Sequence, residues 1–532
     1  MSSAPKVIGV LGAGAMGAGI AQLACLSGAQ TLMHDPVPEA LERGARSIER
    51  HLARGVERGR IDQAAAEAAA ARLRRAASID ELARCELVIE AAPEKLELKQ
   101  TLFAHLSETV VSPECVLATN TSSLLVTAIA SAATRPERVV GMHFFNPPPV
   151  MALLEVVSGA RSSPRALAVA RAAGQAMGKR VIDAIDGPGF LVNRCNRPFG
   201  LEGLKLLQER IAPVAEIDRI CRLQGGFTMG PFELMDLVGL DVGLDVSRSF
   251  YQQSFGEPRW RPSPITVRTV AAGRTGRKSG VGFYDYSDGV KAYRPADPEP
   301  PAPGGGDGVI VIAGDSVLAV ELEQAAFAAG WEVADAAEAA QREPPFLILD
   351  LDGDDPPGAP LQGGPRAICC ATGSLAALDQ GGTAAGFHVL PPLTEAGLVE
   401  LTRGPDTADS AASAAARFFA TLGKHTSWVA DAPGLVLGRI VCQVINESAF
   451  ALGEGVGSPE DIDAGLVYGM NHPRGPLAWA DSIGLDHVLG VLEALYAERR
   501  EERYRPAPVL TGLVWSGRLG RPTGEGFFRY ET

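Results

Sequence analysis

Two segments of this chain are drawn from one pattern. GMHFFNPPPVMALLEVVSG at 141–159 and GFHVLPPLTEAGLVELTRG at 386–404 each carry a His with a Glu twelve positions on, His143 with Glu155 and His388 with Glu400. Adding 245 to a position carries one onto the other, and that register holds without a gap from His143 to Asp241. On it Gly178-Lys179 meets Gly423-Lys424, Pro188-Gly189 meets Pro433-Gly434, Arg194 meets Arg439, Glu202 meets Glu447 and Asp218 meets Asp463. Gly230-Pro231 meets Gly475-Pro476, Gly239-Leu240-Asp241 meets Gly484-Leu485-Asp486, and the halves close on KSGVGFYDY and PTGEGFFRY. So many identities in one register make an internal duplication, which constrains the chain to fold as two related halves.

Further upstream the echo weakens. IGVLGAGAMGAGIAQLACLSGA is answered by VIVIAGDSVLAVELEQAAFAAGW, with Gly12 on Gly314 and Gly28 on Gly330, and the second half has lost about half of what lies between this motif and its His. Between the halves, PADPEPPAPGGGDG offers no apolar face and reads as a linker. In the first half, VIGVLG, ELVIEA, CVLATN and RVVGMHFF alternate with Ala-rich amphipathic stretches, the βαβ signature of a parallel sheet. After Asp186 the pattern turns helical. The expected fold is α/β: a Rossmann-like doubly wound sheet at 1–186, an all-helical domain at 187–290, a linker at 291–307, a degenerate Rossmann-like domain at 308–430 and a second helical domain at 431–532. With 60 Gly and only 6% aromatics, the composition suits close helix-on-sheet packing.

A formal charge of −14 argues against a nucleic acid or an anionic membrane as the principal partner. No apolar run reaches the length of a membrane span, about 20 residues. The strand-like run starts within a few residues of Met1, leaving no room for a signal peptide, and the eight Cys form no CxxC or other metal-ligand cluster. The expectation is a cytoplasmic protein with reduced thiols and no metal.

Gly12-x-Gly14-x-x-Gly17 follows a strand and opens a helix. Gly12 permits the tight turn, Gly14 lets a pyrophosphate approach the backbone, and Gly17 lets helix and strand sit close. The second strand ends on Asp35, an acid suited to a ribose and hostile to a 2′-phosphate, so the dinucleotide is expected to be NAD. His143 ends a strand, and Glu155 lies in the apolar run LLEVV, where an unpaired carboxylate is costly. The pair reads either as a general-base dyad or as a structural ion pair.

The motifs GAGAMG, IEAAPEKLELKQTLF, ATNTSS, HFFNPPPVMALLEVV, GPGFLVNR, GPFELMDLVGLD and KSGVGFYDY, in this order, resemble the NAD-dependent L-3-hydroxyacyl-CoA dehydrogenase family over the whole first half. The two-copy layout resembles its longer bacterial members, including those acting on 3-hydroxyadipyl-CoA. The resemblance implies reversible oxidation of a 3-hydroxyacyl-CoA to a 3-ketoacyl-CoA in fatty-acid or phenylacetate-type catabolism, with His143 as base, Glu155 as its orienting partner, Ser122 on the reacting oxygen and Asn193 on the substrate carbonyl. It also implies NAD contacts from Glu94, Lys99, Asn146 and Lys278. From the residues alone, Glu94 and Lys99 read equally as an exposed helical charge pair, Asn146 as a turn residue and Lys278 as a solvated cation. The Arg-rich stretch 46–60 corresponds to a helical hairpin that reaches over the CoA nucleotide in the family; the competing reading is a plain solvated helix. A free hydroxy acid as substrate, or a non-catalytic CoA- or NAD-binding module, are the alternatives.

The second copy is expected to be a relic. Gly14 and Gly17 become Ser316 and Ala319, Asp35 becomes Ala337, Asn146 becomes Pro391 and Asn193 becomes Gly438. Its helical part is expected to pack on the first as an intrachain pseudo-dimer, complete in itself or dimerising again.

Overall fold

The computed structural model describes residues 4–290, 292–339, 341–351, 363–379 and 381–531; Lys291 of the expected linker and 352–362 and 380 of the second sheet domain lie outside them. The chain divides into two compact units, one of residues up to Arg194 together with Glu454–Met470, the other of Cys195–Gly453 and the chain from Asn471 onward. The sequence divides the chain linearly; compactness does not follow it, because one helix of the second copy, with the turn before it, belongs with the first sheet.

In the first unit, β1 (Val7–Leu11), β2 (Gln30–His34), β3 (Leu73–Arg75), β4 (Leu87–Glu90), β5 (Val116–Thr119), β6 (Val139–Phe144), β7 (Leu153–Ser158) and β8 (Arg180–Ile185) form one sheet in the order β3-β2-β1-β4-β5-β6-β7-β8. The central strands are buried on both faces, which is why they read as unbroken apolar runs. Pairing is parallel throughout except between β6 and β7, a departure from the all-parallel expectation. The eight residues 145–152 joining them are too few for a crossover, so the chain must reverse. The reversal sets His143 directly opposite Glu155, which is the origin of the twelve-residue spacing.

Helix Pro38–Glu57 turns Leu41, Gly44, Ala45, Ile48 and Leu52 inward and helix Gln63–Arg72 completes the hairpin. Arg46, Arg50, Arg54, Arg58 and Arg60 are exposed on it. Helix Pro459–Met470, from the second copy, packs on β7 and β8 of this unit.

In the second unit, β9 (Val309–Ala313), β10 (Glu332–Ala334), β11 (Leu347–Asp350), β12 (Arg366–Cys369), β13 (Ala385–His388), β14 (Leu398–Arg403) and β15 (His425–Trp428) run in the order β10-β9-β11-β12-β13-β14-β15. Among the described residues this order is that of the first sheet without a counterpart of β3. Helix Val214–Leu223, which the repeat register places on Pro459–Met470, lies against β14 here. Helices Arg197–Gln208 and Leu437–Gly453 pack together, and the fully buried Arg439 reaches Glu202 Oε1 at 2.6 Å, Glu209 Oε2 at 2.8 Å and the Tyr504 hydroxyl at 2.9 Å. The repeated closing motifs wrap two buried acids: Asp236 accepts from the amides of Phe283 and Tyr284, and Asp481 from those of Phe527 and Phe528. A Cβ at Gly282 or Gly526 would fall 1.9 or 2.1 Å from those carboxylates, which is why both motifs keep that glycine.

Arg439→Ala strands two carboxylates, so the stability of the chain is expected to fall by about 3–5 kcal/mol, read as a lower urea midpoint. Arg529→Ala, which removes an exposed pairing with Glu525, is expected to change it by less than about 0.5 kcal/mol.

Candidate active site and dinucleotide edge

The helix Ala15–Leu26 starts after Gly14 with no side-chain cap, so its first amides stay open at the end of β1. Gly12 has φ +94°, and a Cβ there would meet Ala91 O at 2.6 Å; at Gly17 it would meet Gly12 O at 1.9 Å; at Gly14 it would point into open space. The loop therefore has the clearance above Gly14 and the closeness below Gly17 that a pyrophosphate on a helix N-terminus requires. Asp35, just past β2, accepts from the amides of Ala13 and Val37, both at 2.9 Å, and so ties the glycine loop to the second strand. These residues fit a dinucleotide.

Next along the edge, Lys99 is only 1% exposed, and its ammonium meets Glu90 Oε1 at 2.7 Å and Glu94 Oε2 at 3.4 Å. The reading of Glu94 and Lys99 as an exposed helical pair is corrected: Glu94 precedes the helix Leu96–His105, and Lys99 points into the sheet, where Glu90 at the end of β4 holds it. Glu94 Oε1 accepts from Thr121 Oγ1 at 2.5 Å and from the amides of Ser122 and Ser123 at 3.0 Å. Burial works against its charge, but Lys99 and these donors outweigh it and hold the Glu94 carboxyl below its ordinary value. Ser122 thus gives its amide to the scaffold and keeps its hydroxyl unengaged among the described residues.

His143 and Glu155 are buried, with Nδ1 to Oε2 at 2.5 Å. The other carboxylate oxygen accepts from the amides of Leu191 and Val192, at 3.1 and 3.0 Å. That strap opens the short helix Val192–Cys195, which carries Asn193. Phe145 and Phe190 flank the imidazole, with ring centroids at 4.7 and 5.7 Å. Asn120, which sequence reasoning missed, accepts from the Phe144 amide at 2.8 Å and so fixes the end of β6 beside the His. Asn146 is exposed in the β6–β7 turn. Lys278 belongs to the second unit, where its ammonium meets Asp241 and holds that carboxyl low.

The second copy keeps the register, with His388 opposite Glu400, but not the bond. His388 Nε2 instead faces His487 Nε2 at 3.2 Å. A Cβ at Gly438 would fall 2.4 Å from His388 Cε1, so the ring fills the space that Asn193 occupies in the other copy. Glu400 retains the strap amides, Val436 at 2.7 Å and Leu437 at 3.0 Å, and accepts from Gln224 at 3.2 Å. Burial pushes it up to about 8, and burial beside His487 pushes His388 well below the ordinary imidazole value. At the glycine loop, the Ser316 hydroxyl caps its own helix at Ala319 N, 3.3 Å, taking up an amide that an anion needs.

Open amides over a parallel sheet and an acid closing the second strand fit a dinucleotide, and a buried, hydrogen-bonded His–Glu pair lies in the same sheet. The model of the NAD-binding domain of 3-hydroxyacyl-CoA dehydrogenase matches residues 7–187, and that of the C-terminal domain matches twice, at 189–286 and 434–530. The chain belongs to the 3-hydroxyacyl-CoA dehydrogenase family, NAD-linked oxidoreductases. It is 35% identical to the 3-hydroxyadipyl-CoA dehydrogenase of Escherichia coli K12 over 511 residues, 95% of this chain and 96% of that one. It is 40% identical to a probable 3-hydroxybutyryl-CoA dehydrogenase of Deinococcus radiodurans over 278 residues, 52% of this chain and 99% of the relative. The crystal structure of 3-hydroxybutyryl-CoA dehydrogenase from Escherichia coli K12 superposes with a TM-score of 0.78 at 33% identity, covering 96% of this chain and 99% of that one. Among the described residues there is no helix long and apolar enough to cross a membrane and no group of side chains that could hold a metal.

Two outcomes follow from this geometry. Gly17→Ala is expected to abolish NADH binding, measured by nucleotide fluorescence, because its Cβ cannot fit against Gly12 O. Glu400 has a raised folded-state pKa, so its contribution to stability is full below its ordinary value of 4.5 and is lost as pH rises through about 8. The Tm of Glu400→Gln relative to the parent is therefore expected to climb between about pH 5 and pH 8 and to level off above.

Proposed function

We propose that the chain oxidises L-3-hydroxyacyl-CoA to 3-ketoacyl-CoA, reversibly, at a single site built by the first copy. The observation that carries this reading is the bond from His143 to Glu155, set against the absence of a bond between His388 and Glu400. With Nδ1 engaged by the carboxylate, Nε2 of His143 is the nitrogen left to take the proton of the C3 hydroxyl. Glu155, fixed by two amides, stabilises the imidazolium so formed without itself having to move. The Ser122 hydroxyl hydrogen-bonds the reacting oxygen, and Asn193, on the strap that holds Glu155, supports the thioester carbonyl. NAD, when bound, supplies the acceptor for the C3 hydride. The amides after Gly12 and Gly14 would hold its pyrophosphate, Asp35 its ribose, and Glu94 and Asn146 would add further contacts, with Lys99 acting through Glu94. In the reverse direction the protonated His143 returns its proton as the ketone is reduced.

The exposed arginines of the helix Pro38–Glu57 and the turn after it suit the CoA phosphates. Relatives named for a hydroxybutyryl and for a hydroxyadipyl group support a 3-hydroxyacyl-CoA substrate, and the role proposed for this chain is in fatty-acid or phenylacetate-type catabolism in the cytoplasm.

NADH consumption with acetoacetyl-CoA checks the assignment. His143→Ala is expected to lose about 10²–10⁴-fold in kcat, and His388→Ala to retain the parental rate. Loss of activity in the second variant, with its fold intact by circular dichroism, would overturn the single-site reading.

A further inference from the structure

The strap that holds Glu155 is itself held from the second copy. Leu191 packs where a Cβ at Gly457 would stand, 2.8 Å from its Cδ2. Val192 lies between Gly465 and Gly469, whose missing Cβ atoms would come within 2.9 and 3.2 Å of its methyl groups. Arg194 is buried, and its guanidinium meets Glu454 Oε2 at 2.8 Å. One strand away, the Ile185 amide donates to Val456 O at 3.1 Å. Four contacts of different kinds therefore converge on residues 185–194 from one turn and helix at least 260 positions later in the chain.

We infer that residues Glu454–Met470 are a positioning element of the catalytic pair: they set the Leu191 and Val192 amides on Glu155 and thereby the orientation of His143. This rests on the proposed role of the dyad. The element touches neither cofactor nor substrate in this account. It acts through the strap, because Leu191 and Val192 each present an amide to the carboxylate and a side chain to this element. Displacing the side chains displaces the donors, and an oriented base is sensitive to shifts well below an ångström. The inference also accounts for the three glycines: a helix face with small residues at 465 and 469 lets Val192 approach the backbone, and a larger residue at either position would push the strap off Glu155.

The experiment uses the full chain in four variants, Gly465→Ala, Gly465→Val, Glu454→Gln and Glu454→Asp, with Glu460→Gln on the exposed first turn of the same helix as a control. Steady-state kinetics with NADH and acetoacetyl-CoA are read beside the downfield proton resonance of the His143–Glu155 hydrogen bond. Gly465→Val and Glu454→Gln are expected to lower kcat by about 10- to 100-fold with the KM for NADH unchanged, and to shift or broaden that resonance. Gly465→Ala is expected to fall between these and the parent, Glu454→Asp to restore most of the rate, and Glu460→Gln to match the parent. If Gly465→Ala and Glu454→Gln keep both kcat and the resonance, the positioning role is wrong, while His143→Ala still reports on the dyad. If kcat falls but the resonance is untouched, the element acts elsewhere and the inference is equally overturned. Should Gly465→Val fail to fold, the Gln and Asp pair at 454 decides alone.

Discussion

A carboxylate sealed inside a sheet must be given donors, and that requirement organises both halves of this chain. Glu155 and Glu400 are each fully buried on the strand that runs antiparallel to its neighbour, and each accepts two backbone amides from the turn that begins the following helical region. The turn, in exchange, has its own buried amides satisfied. Removing either Glu would leave two orphan N–H groups inside the protein, whatever the histidine opposite does. The acid is therefore a structural hinge-pin first, and in one copy only does it also bond the histidine opposite.

This explains why a His and Glu that are not bonded to each other keep the spacing of a pair that is. His388 and Glu400 look like a dyad in sequence because the antiparallel register and the strap survive. Their separation is caused elsewhere, at Gly438, whose absent side chain leaves room for the imidazole to turn away, and at His487, which offers it a nitrogen. Two imidazoles sharing one proton between facing nitrogens must both stay neutral, and burial enforces this: His487 is pushed down to about 4. The pair is a neutral, buried packing contact.

Much was legible in the chain as written. The glycine loop, Asp35 and the His–Glu spacing obey local rules of turn, strand end and alternation, and the upstream echo that sets Gly12 on Gly314 exposed the decay of the second loop. The Ser316 cap could even have been read from the ordinary preference for Ser before a helix. What stayed hidden is non-local. Lys99 looked like a surface residue because nothing in EKLELKQ announces that Glu90, at the end of a neighbouring apolar strand, is buried and waiting for a cation. The reversal at β7 was masked by a run as apolar as a parallel strand, and only the eight-residue connection betrayed it. No periodicity could show that a helix near residue 460 belongs with a sheet that ends near residue 185.

Residues 194, 209, 439 and 454 are Arg, Glu, Arg and Glu: in the repeat register they are two positions, each kept identical in both copies, and each Arg meets a Glu supplied by the other copy. Elsewhere the copies have parted, Asn193 against Gly438 and Gly14 against Ser316. In an assembly of identical subunits every substitution is made twice and no subunit can shed its chemistry without its partner doing the same. Joining the copies in one gene removes that coupling. The reciprocal pairs mark what each half still owes the other mechanically, while the side chain lost at 438 and the one gained at 316 mark where that mutual constraint no longer applies.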